Sequence, residues 1–173
     1  MKKIYLLLIT VCMISFSCES PESSPQVIGY TTSDDGKTDV VAGPDNIAAV
    51  WEAYIDAHNS RDTEGIRALN AEEFSAYGPA GEVVEGSDAH IDFLTEWFEN
   101  NNPRWAPMWF INNTGENPEN NQVNDYVTSG NQLTLNVDGQ DIIVYQVNDA
   151  AIKDGKVQFF YVYQQQRAVS SEE

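Results

Sequence analysis

The spacing of apolar residues changes once along this chain, and that change constrains the fold more than any other feature. From Ile47 to His58 the apolar and aromatic residues recur every three or four positions, which places them on one face of a helix. Asp45 is positioned to cap this first helix and Asp62 to cap a short second one, while Ser87 opens a third that ends between residues 100 and 103. The first half of the chain therefore predicts three helices.

From residue 104 onward the apolar residues alternate with a period of two, which is typical of strands. Asp138-Gly139 separates two alternating segments and indicates a tight hairpin. The Asn-rich residues 112–125 predict a long surface loop. Helices followed by hairpin strands predict an α+β domain with the helices on one face of the sheet.

Both faces of the last strand carry apolar or aromatic residues. Phe159 and Tyr161 lie on one face, and Phe160 and Val162 lie on the other. A sheet with one face in water does not require this pattern. Either a second copy of the chain packs sheet against sheet, or the curled sheet and the N-terminal segment cover the second face. We expect the homodimer.

The first seventeen residues have the organisation of an export signal. Lys2 and Lys3 precede the apolar run from Ile4 to Phe16, which is too short to span a membrane, and Ser17 stands before Cys18. This order resembles the bacterial lipoprotein signal, and the two glutamates that follow the cysteine resemble the surface-export signal of Bacteroidetes lipoproteins. We therefore expect a lipid anchor at Cys18 on an outer membrane lipoprotein of the cell envelope, with a plain secretory signal as the alternative.

The remaining composition suggests one domain between polar segments. Residues 18–43 are rich in Ser, Pro, Asp and Gly and are expected to form a disordered tether, residues 44–168 a single domain, and residues 169–173 a disordered tail. Cys12, the other cysteine of the chain, lies in the export signal, so no disulfide is expected. The formal net charge of −18 disfavours binding to nucleic acid.

On these elements the chain resembles the nuclear transport factor 2-like superfamily, which includes ketosteroid isomerases, SnoaL-like polyketide cyclases and non-catalytic members. The resemblance covers Ile47 to Gln166. It depends on the order and spacing of the break at Asp62 to Ile66, the step from Gly81 to Gly86 and the hairpin Asp154-Gly155-Lys156. It implies a cone of three helices and a curled antiparallel sheet around a pocket. Because this fold hosts enzymes and binding proteins alike, the resemblance implies no single activity.

The resemblance also implies roles for particular residues. Tyr54 matches a first-helix tyrosine that donates a hydrogen bond to the oxyanion in ketosteroid isomerases. The position of the proton-shuttling aspartate is Gly78, which cannot accept a proton. The second oxyanion donor corresponds to Asn148, or to Asp149 if the register shifts by one residue. Donors without a base argue against isomerisation by that route.

Two histidines remain to be assigned. His58 lies one turn after Tyr54, where a neutral imidazole could act as a base; alternatively, it caps the helix end and bonds a carboxylate such as Asp62. His90 lies between two acidic residues in the third helix and is predicted to be a solvated surface residue. With two histidines and no usable cysteine, we expect no metal site and no cofactor.

Aromatic side chains are expected to form the pocket walls. The residues expected to bind a ligand are Tyr54, His58, Tyr77, Trp97, Trp105, Trp109 and Tyr145. Alternation leaves either Trp105 or Tyr145 free to point outward. Such walls suit a mostly apolar molecule that carries a carbonyl or hydroxyl, although ordinary core filling is an alternative.

Three functions follow from these residues. The first, which Gly78 favours, is a lipid-anchored domain that binds a small apolar molecule without catalysis. The second is an isomerase, cyclase or dehydratase that uses Tyr54, Asn148 and His58. The third is a dimeric accessory module with a closed core.

Overall fold

The computed structural model describes residues 24–34, 36–118 and 120–166. The export signal, Cys18 and residues 169–173 lie outside this part of the chain. The helices are α1 (Ile47–Ser60), α2 (Thr63–Leu69) and α3 (Ser87–Asn101). The strands are β1 (Val27–Ser33), β2 (Gly36–Ala42), β3 (Asn70–Tyr77), β4 (Val83–Glu85), β5 (Arg104–Glu116), β6 (Val123–Val137), β7 (Gln140–Lys153) and β8 (Lys156–Gln165).

The strands form one curled sheet in the order β1-β2-β5-β6-β7-β8-β3-β4. Strands β5 to β8 are consecutive hairpins, and Asp138 and Gly139 adopt the positive φ angles, 52° and 80°, that the turn between β6 and β7 requires. The α+β prediction is confirmed, but the sheet is mixed, because β3 pairs with β8 in parallel. A parallel pair needs a long crossover, and here the chain passes through β4, α3 and three hairpin strands between the two partners.

The prediction of a disordered tether is wrong for residues 27–42. They form the β1–β2 hairpin, which turns at Gly36 with a φ angle of 124°, and Val41 and Ala42 of β2 pair with β5. β-Branched residues in both strands, with Tyr30 in β1, favour this conformation despite the polar composition. The hairpin therefore extends the edge of the sheet.

Two further local predictions need correction, and one is confirmed. Asn46, not Asp45, precedes the first turn of α1, and it makes no capping bond through its side chain. Asp62 does cap α2, because its Oδ1 accepts a hydrogen bond from the Gly65 N–H at 2.8 Å. The expected loop over 112–125 shrinks to residues 117–122, since polar side chains bond across the strands, as between Thr114 Oγ1 and Asp125 Oδ1 at 2.6 Å.

The hydrophobic core lies between the helices and the inner face of the sheet. Trp51, Tyr54 and Ile55 of α1 pack there with Phe74 of β3 and Val127 of β6, all of them buried. The opposite, outer face of the sheet exposes large apolar side chains, among them Trp109, Ile111, Val147 and Tyr163. Within the described ranges, no helix is long and apolar enough to cross a membrane.

Candidate functional site

A cavity of about 260 Å³ lies between helices α1 and α3 and the inner face of the sheet. Its deep end is formed by buried residues, which include Tyr54, His58 and His90. Its mouth is formed by lining residues that remain exposed to solvent, which include Glu82 and Phe93. The aromatic rings of its wall are Trp51, Tyr54, Phe93, Trp97, Trp105 and Phe160.

Tyr54 of α1 directs its hydroxyl into the interior, and the residue is only 1% exposed. The hydroxyl donates its proton to Asn70 Oδ1 at 2.6 Å, where β3 begins. Burial raises the pKa of the Tyr54 phenol well above 10.0, so the phenol stays neutral. Because its single proton is already engaged, Tyr54 has no hydrogen-bond donor left for a molecule in the cavity.

His58 lies one turn further along α1, with its ring 4.6 Å from that of Tyr54. Its Nδ1 lies 2.7 Å from the Tyr54 carbonyl oxygen, which can only accept, so Nδ1 carries the proton and Nε2 carries a lone pair. Burial, aided by the charge of Arg61, lowers the pKa of His58 from 6.5 to about 4 and outweighs that hydrogen bond. The alternative bond to Asp62 does not form, since the Asp62 carboxylate caps α2.

The prediction that His90 is a solvated surface residue is wrong, because it is only 2% exposed and lines the deep end. His90 lies four residues before Leu94 and eight before Phe98, on the buried stripe of α3, whereas Asp88 and Asp92 face solvent. Burial, together with nearby His58, lowers its pKa from 6.5 to about 3. The helical spacing of His90 with those apolar residues was the signal that could have identified it.

Asn70 connects the two ends of this buried polar group. Its amide nitrogen donates to Ser87 Oγ at 3.0 Å and lies 3.4 Å from His90 Nδ1. His90 Nδ1 also lies 3.4 Å from the Tyr54 hydroxyl oxygen, so it accepts from the Asn70 amide in one tautomer and donates to that hydroxyl in the other. The two imidazoles, with ring centroids 5.8 Å apart, are both neutral near pH 7, because burial lowers both pKa values.

The register of β7 places Asn148 inward and Asp149 on the outer face. Asn148 Oδ1 accepts a hydrogen bond from Asn131 Nδ2 at 2.6 Å, and no described residue accepts from the Asn148 amide nitrogen, which is left to donate at the cavity wall. Asp149 instead accepts from Thr128 Oγ1 at 2.7 Å, and burial raises the pKa of this carboxyl despite that bond. Asn148 and His58 thus offer one donor and one acceptor to the cavity.

Four of the residues expected to bind a ligand line the cavity: Tyr54, His58, Trp97 and Trp105. The other three lie on the outer face. Tyr77 stacks on Tyr161 there at 4.6 Å, and Tyr145 points away from the neighbouring cavity residue Gln146. A bulge between Pro107 and Trp109 breaks the alternation of β5, so the Trp109 ring lies against Gly130 on the outer face.

The cavity carries little charge. Glu82 is the one carboxylate among the described lining residues, and neither lysine nor arginine lines it. In the described part of the chain, no group of three or more His, Cys, Asp or Glu residues could hold a metal ion. Glu82 lies in a short turn without a periodic pattern, so no sequence signal pointed to it.

Comparison with solved structures gives the same architecture. A "putative ketosteroid isomerase" from Kribbella flavida is 18% identical over 72% of this chain and 82% of that one, with a TM-score of 0.56. A "putative SnoaL-like polyketide cyclase" from Jannaschia sp. is 16% identical over 69% and 85%, with a TM-score of 0.53. An NTF2-like protein of unknown function from Burkholderia pseudomallei is 21% identical over 71% and 93%, with a TM-score of 0.55.

No family model and no curated protein matches this chain. At such low identity the structural likeness concerns the fold, which is the nuclear transport factor 2-like cone of three helices and a curled sheet. Activity has to be argued from the residues of the cavity.

Proposed function

We propose that this domain binds a small, mostly apolar molecule in the cavity between α1, α3 and the sheet, without catalysis. The observation that carries the proposal is a cavity of about 260 Å³ walled by aromatic rings, with few polar atoms free to interact. Such a cavity favours apolar ligands through burial of their surface, while a few polar groups fix their orientation.

The polar groups at the deep end suit an uncharged ligand group. His58 Nε2 accepts a hydrogen bond and the Asn148 amide nitrogen donates one. A hydroxyl matches the first and a carbonyl oxygen matches the second. The ligand proposed here therefore places a hydroxyl or carbonyl at the deep end and apolar surface against the rings.

The arrangement of the other polar groups supports binding rather than catalysis. Gly78 supplies no base on the wall, and the proton of the Tyr54 hydroxyl is held by Asn70. The sequence suggested Tyr54 and Asn148 as two neutral donors to a substrate oxyanion. Of these two residues, Asn148 alone remains free to donate.

A second candidate is an enzyme of the isomerase, cyclase or dehydratase class, and the lone pair on His58 Nε2 favours it. A neutral imidazole in an apolar cavity can accept a proton from a substrate. Replacing His58 with Gln keeps a polar side chain and removes that base. Unchanged turnover of an identified substrate by His58→Gln would exclude this role.

We also propose that the domain is an outer membrane lipoprotein of a bacterial cell envelope, exposed at the surface and anchored through Cys18. The support is the order of Lys2, Lys3, the apolar run and Ser17 before this cysteine. Replacing Cys18 with Ser should release the protein from the membrane fraction. Unchanged membrane association would contradict the anchor.

The outer face supports the further proposal of a homodimer packed sheet against sheet. Ile111 is 51% exposed and Tyr163 is 62% exposed on this face, and the β1–β2 hairpin continues the sheet edge. A second copy would bury this apolar surface. Sedimentation should give a dimer, and a monomer at high concentration would contradict it.

Native mass spectrometry of protein purified from its host tests the binding function. We expect a retained small molecule that organic extraction removes. Ala76→Leu adds bulk inside the cavity and should reduce retention, whereas Ala106→Leu, at an exposed position on β5, should not. A cavity that is empty in all three folded proteins would contradict the function.

A further inference from the structure

The distribution of charge in the cavity is one-sided. Both histidines of the deep end are neutral near pH 7, because burial lowers their pKa values to about 4 and about 3. Glu82 at the mouth is the one side chain with a formal charge among the described lining residues. A single negative charge at the entrance of an otherwise neutral aromatic cavity complements a ligand with one positive end.

The turn between β3 and β4 holds the Glu82 carboxylate over Gly78. The Gly78 N–H donates to the Glu82 carbonyl oxygen at 2.8 Å, and the Ala80 N–H donates to Glu82 Oε2 at 2.9 Å. A Cβ atom on Gly78 would lie 2.5 Å from Glu82 Oε2, so only glycine leaves room for this placement. The carboxylate is thus oriented by the backbone rather than freely mobile.

A series of aromatic rings runs from Phe93 at the mouth to Trp105, whose ring centroid lies 5.6 Å from that of His58, and adds a second feature that favours a cation. Trp97 and Trp105 lie with ring centroids 5.5 Å apart, and Phe93, which is 45% exposed, stacks on Trp97 at 6.4 Å. The faces of such rings attract ammonium groups, most strongly for tryptophan. The same rings would also cover the apolar part of the ligand.

We propose that the molecule bound in this cavity is an amphipathic organic amine, which places an ammonium group at the mouth between Glu82 and the aromatic rings and its uncharged end beside His58. The proposal deepens the binding function proposed above and rests on it. The deep end offers no carboxylate to a buried cation, which fixes the direction in which such a ligand enters.

The proposal can be tested with two indoles of nearly equal shape, tryptamine and tryptophol, which differ in carrying an ammonium or a hydroxyl group. Isothermal titration calorimetry on the soluble domain should give an affinity about fivefold higher for tryptamine than for tryptophol. Glu82→Gln keeps the side-chain shape and should reduce this preference to less than about twofold by weakening tryptamine binding.

Two variants complete the experiment. Glu85→Gln removes the same charge from the neighbouring strand β4, outside the cavity, and should retain the preference for tryptamine. Gly78→Ala should displace the Glu82 carboxylate and reduce the preference as Glu82→Gln does. Thermal denaturation confirms that each variant is folded.

Three results would overturn the inference. These are equal affinity of the wild type for both indoles, an equal loss of preference in Glu82→Gln and Glu85→Gln, and no binding of either indole. The first two leave the proposed binding function intact, because tryptophol still binds. If neither indole binds, native mass spectrometry of the protein purified from its host still tests the proposed binding function independently.

Discussion

Acidification should destabilise this domain through its two buried histidines. His58 and His90 have pKa values of about 4 and about 3 in the folded protein, against 6.5 for an exposed imidazole. Because both values are lower than in the unfolded chain, the unfolded state binds more protons as the pH falls. The stability is fully present above about pH 6.5 and decreases progressively as the pH falls, down to about pH 4 for His58 and about pH 3 for His90.

The size of the effect follows from the pKa differences. At about pH 5, protonation of one histidine in the unfolded chain favours unfolding by about 2 kcal/mol, since each pKa unit corresponds to about 1.4 kcal/mol. Both histidines together give about 4 kcal/mol, a large share of the stability of a domain of this size. Protonation of surface carboxylates acts in the opposite direction by relieving repulsion within a chain of charge −18.

Urea denaturation at about pH 7 and about pH 5 measures the effect. The double variant His58→Gln, His90→Gln keeps the surface carboxylates, so the difference between its pH response and that of the wild type isolates the histidines. We expect the wild type to lose about 4 kcal/mol more than the variant. Equal pH responses of the wild type and the variant would refute the reasoning. If the variant does not fold, NMR titration of the two imidazoles in the wild type replaces the comparison, and a pKa near 6.5 for either histidine would refute the reasoning.

The remaining predictions concern single contacts. Tyr54→Phe leaves Asn70 Oδ1 buried without its donor and should lower the free energy of unfolding by about 1–3 kcal/mol in urea denaturation. The control Tyr163→Phe, on the outer face, should change this free energy by less than about 0.5 kcal/mol. Equal losses in the two variants would contradict the buried hydrogen bond. Asp62→Ala removes the cap of α2 and should cost about 1 kcal/mol in the same assay, and no loss would contradict the cap. Val147→Lys places a charge on the exposed outer face and should shift sedimentation from dimer to monomer, whereas an unchanged dimer would place the interface elsewhere.

The fold could be predicted to the extent that periodicity and turn signals determine it. The stripe of α1 and the turn at Asp138 and Gly139 are local features whose geometry follows from the residues themselves. The β1–β2 hairpin was missed because its polar composition outweighed its β-branched residues, and its pairing with the distant β5 leaves no local signal. The parallel pairing of β3 with β8 likewise depends on contacts far apart in the sequence.

The site was predictable only where helical spacing or strand alternation is regular. Trp105 faces the cavity, but the bulge after Pro107 turns Trp109 outward. Pro107 is the sequence signal at that position, but a proline within a strand marks an edge as well as a bulge and does not distinguish the two. His90 was misassigned because its acidic neighbours outweighed its helical spacing from Leu94. Glu82 reaches the cavity through backbone geometry at Gly78, which only coordinates reveal.

A crystal structure of the domain soaked with tryptophol would show whether the cavity binds a small aromatic molecule. We expect the indole inside the cavity, against Trp97 or Trp105, with the Tyr54 hydroxyl within hydrogen-bonding distance of Asn70 Oδ1. Indole bound at the outer face beside Trp109, or a Tyr54 hydroxyl directed to bulk solvent, would contradict this expectation.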